Sequence, residues 1–90
     1  MTPWTRPALR KLFRIHEHIA REDTEAANRL ITRLYQAANH LENFPQLGRP
    51  GLAFNLRELV VPATPYILRY RIRGGQARVI DIKHGSQQNY

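Results

Sequence analysis

Residues 66–73 alternate without a break: Tyr66, Leu68, Tyr70 and Ile72 share one parity, and Ile67, Arg69, Arg71 and Arg73 share the other. A period of two is that of a β-strand with one face in a core and the other outside it. Here the outer face is a row of arginines. Gly74-Gly75 follows and marks a tight hairpin. Residues 77–83 supply the returning strand, with Ile80 and Ile82 facing inward. That phase brings Arg69 or a neighbour near Asp81 on the outer face. It needs an odd-length hairpin loop, such as one with a bulge; a two-residue loop would turn Asp81 inward.

The first half of the chain has the other periodicity. From Pro7 to about Arg21, Leu9, Leu12, Phe13, His16, Ile19 and Ala20 lie on one helical face, and Ile15 falls off the pattern. Pro7 suits the first turn of that helix. Glu22-Asp23-Thr24 breaks it and offers caps for a second helix over residues 24–43, whose stripe is Ala27, Leu30, Ile31, Leu34, Ala37 or Ala38, and Leu41. So short a link makes the pair an antiparallel hairpin. Residues 44–55, punctuated by Pro45, Gly48, Pro50 and Gly51, read as a loop, and Leu56–Val61 as a further strand closed by Pro62. The expected order is β-α-α-β-β-β, an α+β domain with a helical hairpin packed on one face of a small, mostly antiparallel sheet. Ninety residues are enough for one core, so residues 1–90 are expected to form a single domain.

Composition narrows the chemistry. There is no cysteine, hence no thiol nucleophile, thiolate metal site or disulfide. No apolar run approaches the ~18 residues that span a membrane, and Met1-Thr2-Pro3-Trp4 does not begin a signal peptide, so the cytoplasm is the expected location. Net charge is +7, and twelve of the fourteen cations are arginine. Residues 46–90 carry seven cations against Glu58 and Asp81 alone. A basic half rich in guanidinium forks predicts an anionic partner, either nucleic acid or an acidic protein.

Catalytic constellations are sparse. His16 and His18 point ~200° apart on a helix and cannot share a metal. Ser86 belongs to no nucleophile-elbow pattern, and Gly48-Arg49-Pro50-Gly51 lacks the spacing of a phosphate loop and reads as a turn. Cationic neighbours should keep Glu58 and Asp81 ionised. His84, at the edge of the arginine-rich sheet, could act as a general base in metal-free RNA cleavage, with arginines stabilising the phosphorane; alternatively it only caps the strand. The arginine ladder of Arg69, Arg71 and Arg73, with Arg57, Arg78 and Lys83 nearby, is the strongest feature. It repels itself until an acidic group or phosphate neutralises it; alternatively it is a solvated outer sheet face whose cations stop edge pairing.

Four segments in order also resemble a known family. They are Pro45-Gln46-Leu47-Gly48-Arg49-Pro50-Gly51, Leu56-Arg57-Glu58-Leu59-Val60-Val61, Thr64-Pro65-Tyr66-Ile67-Leu68-Arg69-Tyr70-Arg71 and His84-Gly85-Ser86-Gln87-Gln88. Together they look like the ParE branch of the RelE/ParE toxins of type II toxin–antitoxin modules. The resemblance covers nearly the whole chain. It implies the microbial-ribonuclease-like α+β sheet, a toxin that inhibits DNA gyrase, and a cognate antitoxin that wraps and neutralises it. The ribonuclease branch has basic residues where this chain has Glu58, Val60, Ile67 and Gln87, and its late catalytic tyrosine would fall beyond Tyr90. That departure argues against mRNA cleavage. The tryptophan that often follows the "H-G-A-Q" segment in the ParE branch is replaced here by Asn89-Tyr90.

The resulting expectation is a non-enzymatic toxin whose partners are its antitoxin and DNA gyrase, with or without DNA. No cofactor, metal, small-molecule substrate or membrane is expected. Arg57, Arg69, Arg71, Arg73, Lys83, His84 and Gln87 are the expected partner-binding residues. The alternatives are an endoribonuclease that uses His84, the arginines and Tyr90, and a relict that only binds antitoxin.

Overall fold

A computed structural model of the chain describes residues 3–85. Helix α1 is Arg6–Ala20 and α2 is Thr24–Asn43. Thr5 caps α1: its hydroxyl oxygen faces the Ala8 N–H at 3.4 Å and itself donates to the Val79 carbonyl at 3.0 Å. One side chain thereby starts a helix and fixes it to the sheet. Asp23 caps α2 through the Ala26 N–H at 3.0 Å, and Glu25 adds negative charge to the first turn. The helices pack as an antiparallel hairpin, joined near its closed end by a 2.8 Å hydrogen bond between His16 Nε2 and Asn28 Oδ1.

The α2 stripe is buried as its spacing predicts, with Ala27, Leu34, Ala37, Ala38 and Leu41 inside. The α1 stripe is rotated from the expected one. Ala8 and Leu12 are buried and Ile15 packs against the core, whereas Phe13 is 59 % exposed. Positions 8, 12 and 15 lie on one line at 3.6 residues per turn, and Phe13 stands about 100° from Leu12.

Four strands follow: β1 (Arg49–Pro50), β2 (Leu56–Val60), β3 (Tyr66–Arg73) and β4 (Gln76–His84). They form one sheet in the order β1-β2-β3-β4 with every neighbour antiparallel. This is the two-layer α+β arrangement expected. Its leading strand is a single parallel bridge from Trp4 to Val79, and β1 arises inside the segment read as loop, where Arg49 and Pro50 pair with Glu58 and Arg57.

The segment before β1 is held by Tyr70. This fully buried side chain accepts from the Gly48 N–H at 2.8 Å and donates to the Pro45 carbonyl at 2.6 Å. A Cβ on Gly48 would lie 2.6 Å from the Glu58 carbonyl and 2.7 Å from the Tyr70 hydroxyl, so only glycine fits. The β3–β4 hairpin turns through Gly74 and Gly75, both at positive φ (55° and 78°), the geometry of a two-residue primed turn.

The turn is therefore two residues long, yet Asp81 does not face inward as that length alone would dictate. Tyr70 pairs with Val79 but Arg69 pairs with Asp81, so β4 carries a bulge midway. The bulge shifts the phase. Ala77, Val79 and Ile82 are buried, while Ile80, expected inside, sits at the slip and only half-buried. Asp81 lies opposite Arg69 in register, but its carboxylate is taken by Lys11 of α1 at 3.0 Å. The core is the layer between the helices and the inner face of the sheet, where Leu12, Leu34, Leu41 and Trp4 meet Leu68, Tyr70, Val79 and Ile82. Among the described residues, no helix is long and apolar enough to cross a membrane.

A candidate interface for an anionic partner

The register sorts the cations. On the outer face of the sheet, Glu58, Arg69 and Asp81 form one row, and Leu56, Arg71 and Arg78 the next; Arg73 opposite Gln76 completes it at the hairpin end. The inner face takes Arg57 beside Tyr70.

Glu58 organises the first row. Its carboxylate receives Arg69 at 3.2 Å, Lys83 at 3.2 Å and Arg49 at 3.7 Å, with its side chain only 13 % exposed. Burial by itself would raise this carboxyl. The hydrogen bonds and charges of Lys83 and Arg69 outweigh it and hold the pKa below the ordinary carboxylate value. Three of the seven cations of the C-terminal half thus share one carboxylate within the chain. The arginine ladder is partly compensated at this end.

Arg57 is engaged elsewhere. Its guanidinium donates to the Gly48 carbonyl at 2.6 Å and more loosely to that of Gln46 at 3.4 Å, so it braces the segment that Tyr70 holds. His84 pairs with Tyr66 in register, and the two rings meet edge to face at 5.3 Å between centroids. Burial raises the Tyr66 hydroxyl above its ordinary pKa. Gln87, Ser86 and Tyr90 lie outside the described residues.

The remaining arginines behave differently. Arg71, Arg73 and Arg78 surround a cleft of about 200 Å³ together with Thr5 and Ile80. Among the described residues, Arg71 and Arg73 form no ion pair, and Arg78 reaches only the Trp4 carbonyl at 3.5 Å. Three guanidinium groups crowded without a counter-charge are costly until an anion arrives, and each presents a fork suited to carboxylate or phosphate oxygens. The residues expected to act as one surface are thus divided. Arg69 and Lys83 belong to the Glu58 cluster, Arg57 to the inner face, and Arg71 and Arg73 to the open cleft. Thr5, Arg78 and Ile80 complete that cleft, and Arg49 completes the Glu58 cluster. No local sequence pattern joins them; they meet only through the register and the bulge.

A family model described as the ParE toxin of the type II toxin–antitoxin system parDE matches residues 3–89. The chain is 39% identical over 85 residues to "Putative toxin Y4kP" of Sinorhizobium fredii, covering 94% of this chain and 88% of that protein. It is 38% identical over 84 residues to "Toxin RelE2" of Caulobacter vibrioides, covering 93% of each. A solved structure from the chromosomal ParDE toxin–antitoxin system of P. aeruginosa has the same fold, with a TM-score of 0.78 at 23% identity over 90% of both chains.

Proposed function

Since the chain belongs to the ParE toxin family of type II toxin–antitoxin systems, we propose that it arrests growth by binding and inhibiting DNA gyrase, and that a cognate antitoxin neutralises it by binding in turn. The observation that carries this reading is the division of the basic surface. Arg69 and Lys83 are held by Glu58 on the face of the sheet opposite to His84, which pairs with Tyr66. The uncompensated arginines, Arg71, Arg73 and Arg78, form a cleft fit to bind an anionic group on a large partner. Arg57, His84 and Gln87 are further proposed partner contacts, outside that cleft or, for Gln87, outside the described residues.

The test is negative supercoiling by purified gyrase with increasing amounts of the toxin, with cleaved DNA counted in the same reactions. Inhibition with accumulated cleaved DNA, reversed by the antitoxin, is the expected result. The Arg71→Glu variant should fold normally and lose both the inhibition and the growth arrest.

A second reading is kept because one relative carries the name Toxin RelE2. It is an endoribonuclease with His84 as base. Folded toxin that leaves gyrase untouched, cleaves mRNA on translating ribosomes, and loses that cleavage in the His84→Gln variant would establish it instead.

A further inference from the structure

The β1–β2 turn, residues 51–55, projects two large apolar side chains from the molecule: Leu52 is fully exposed and Phe54 is 90 % exposed. Exposed apolar side chains are ordinary when scattered singly. These two are adjacent, and the backbone that carries them is tied down. The Gly51 N–H donates to the Leu56 carbonyl at 2.6 Å and the Leu56 N–H to that of Ala53 at 3.1 Å. The Ile72 N–H, on β3, donates to the Asn55 carbonyl at 3.0 Å. Asn55 adopts φ 66°, the left-handed turn conformation that asparagine tolerates. The tip is thus held beside the end of β3 that carries Arg71 and Arg73, and Leu56 is the register partner of Arg71. A rigid apolar tip adjoins an uncompensated arginine cleft whose wall includes the half-buried Ile80.

We infer that the Leu52–Phe54 tip and the Arg71–Arg73–Arg78 cleft form one docking surface for an acidic, apolar peptide segment of the antitoxin. Carboxylates enter the cleft, and neighbouring apolar side chains cover the tip. Charge complementarity and the mixed character of the surface choose this occupant. A nucleic-acid duplex would satisfy the arginines with its phosphates but keeps its bases stacked inside, away from Leu52 and Phe54. The cleft is also the size of one or two side chains, not a groove that follows a strand. Preorganisation of the tip lowers the ordering cost on the toxin side, while the incoming segment folds on binding. Neutralisation is then direct: the antitoxin occupies the anion-receptive cleft through which the toxin would engage its target. The inference rests on the antitoxin half of the proposed function and is independent of the gyrase half.

The experiment is calorimetric titration of the whole toxin with its full-length cognate antitoxin, at low and high salt, alongside a titration with a short DNA duplex. Two double variants are compared with the native chain: Leu52→Ser with Phe54→Ser, and Arg71→Ala with Arg73→Ala. The tip side chains contribute nothing to the core, and thermal melts report whether each variant is folded. Both variants should bind antitoxin at least about tenfold more weakly. The arginine variant should also lose much of the salt dependence, which the tip variant should keep. Native affinity for antitoxin in both folded variants would overturn the proposal. So would an arginine variant that loses only duplex binding, which would make the cleft a phosphate site. Gyrase that ignores the toxin would leave this result standing, so the two readings fail separately.

Discussion

Tyr70 and Glu58 show at the residue scale how a small chain places polar groups inside without leaving them unpaired. The Tyr70 hydroxyl is both acceptor and donor to the segment before β1, and burial raises it above the ordinary tyrosine pKa, since ionisation there would be poorly solvated. Tyr70→Phe removes both bonds and leaves the Gly48 N–H and Pro45 carbonyl to find water. A loss of about 1–3 kcal/mol in denaturant unfolding is expected. Gly48→Ala should cost a similar amount through contact with the same hydroxyl and the Glu58 carbonyl. Glu58 sets a pH dependence. Its folded pKa is depressed, so it contributes stability that is fully present above the ordinary carboxylate value of about 4.3 and lost as pH falls through the lower folded value. Glu58→Gln should lower stability at pH 7, where three cations lose their common partner. It should also flatten the acid limb of a stability–pH profile below about pH 5. An acid limb as steep as the native one would show that Glu58 is not the group responsible.

Elements were legible where one periodicity ran long enough to be read. The α2 stripe and the alternation of Leu68–Arg73 lie in the structure as they lie in the sequence, because each side chain has one face to choose; Ile67, in phase with the arginines, is buried all the same. Phe13 misled because it and Ile15 compete for one stripe, and only packing against β4 decides between them. The two-residue β1 was hidden by its own Gly-Arg-Pro-Gly context: it exists because Tyr70 draws Gly48 against β3, a contact no local pattern announces. The phase of β4 was hidden for a related reason. Turn length and strand phase are linked only while a ladder is regular, and the bulge opposite Arg69 and Tyr70 unlinks them. Deleting Ile80 should therefore be tolerated, because it removes the unpaired bulge residue and leaves Val79 opposite Tyr70, Asp81 opposite Arg69 and Ile82 opposite Leu68 in a regular ladder. We expect that deletion to keep a cooperative thermal transition, whereas inserting one alanine between Ile80 and Asp81, which in a ladder still paired at Val79 and with the same single bulge would turn Asp81 inward opposite Leu68, should abolish it.

Across the whole molecule, the segment before α1 is tied to the last strand. Trp4 is buried in the core, meets Tyr35 edge to face at 5.6 Å, and bridges to Val79. Trp4→Ala should cost about 3–5 kcal/mol. That is a large share of the stability of so small a core, and urea unfolding will register it. The docking surface also belongs to this scale. Its parts come from Thr5, from the β1–β2 turn and from both strands of the last hairpin, so composition announced a basic half but could not say which arginines were open. Glu58 settles that, by engaging Arg49, Arg69 and Lys83 and leaving Arg71, Arg73 and Arg78 to the partner.

The short N-terminal bridge has a consequence for self-assembly. Along the outer edge of β4, the Val79 N–H is bonded to the Pro3 carbonyl and the Val79 carbonyl to the Thr5 N–H. At the opposite edge, β1 is two residues long and one of them is Pro50, which has no N–H to offer. Neither border presents an unbroken row of free backbone groups. A second sheet arriving edge-on would meet an interrupted template, which disfavours strand addition between copies of this sheet. Recognition is left to side chains.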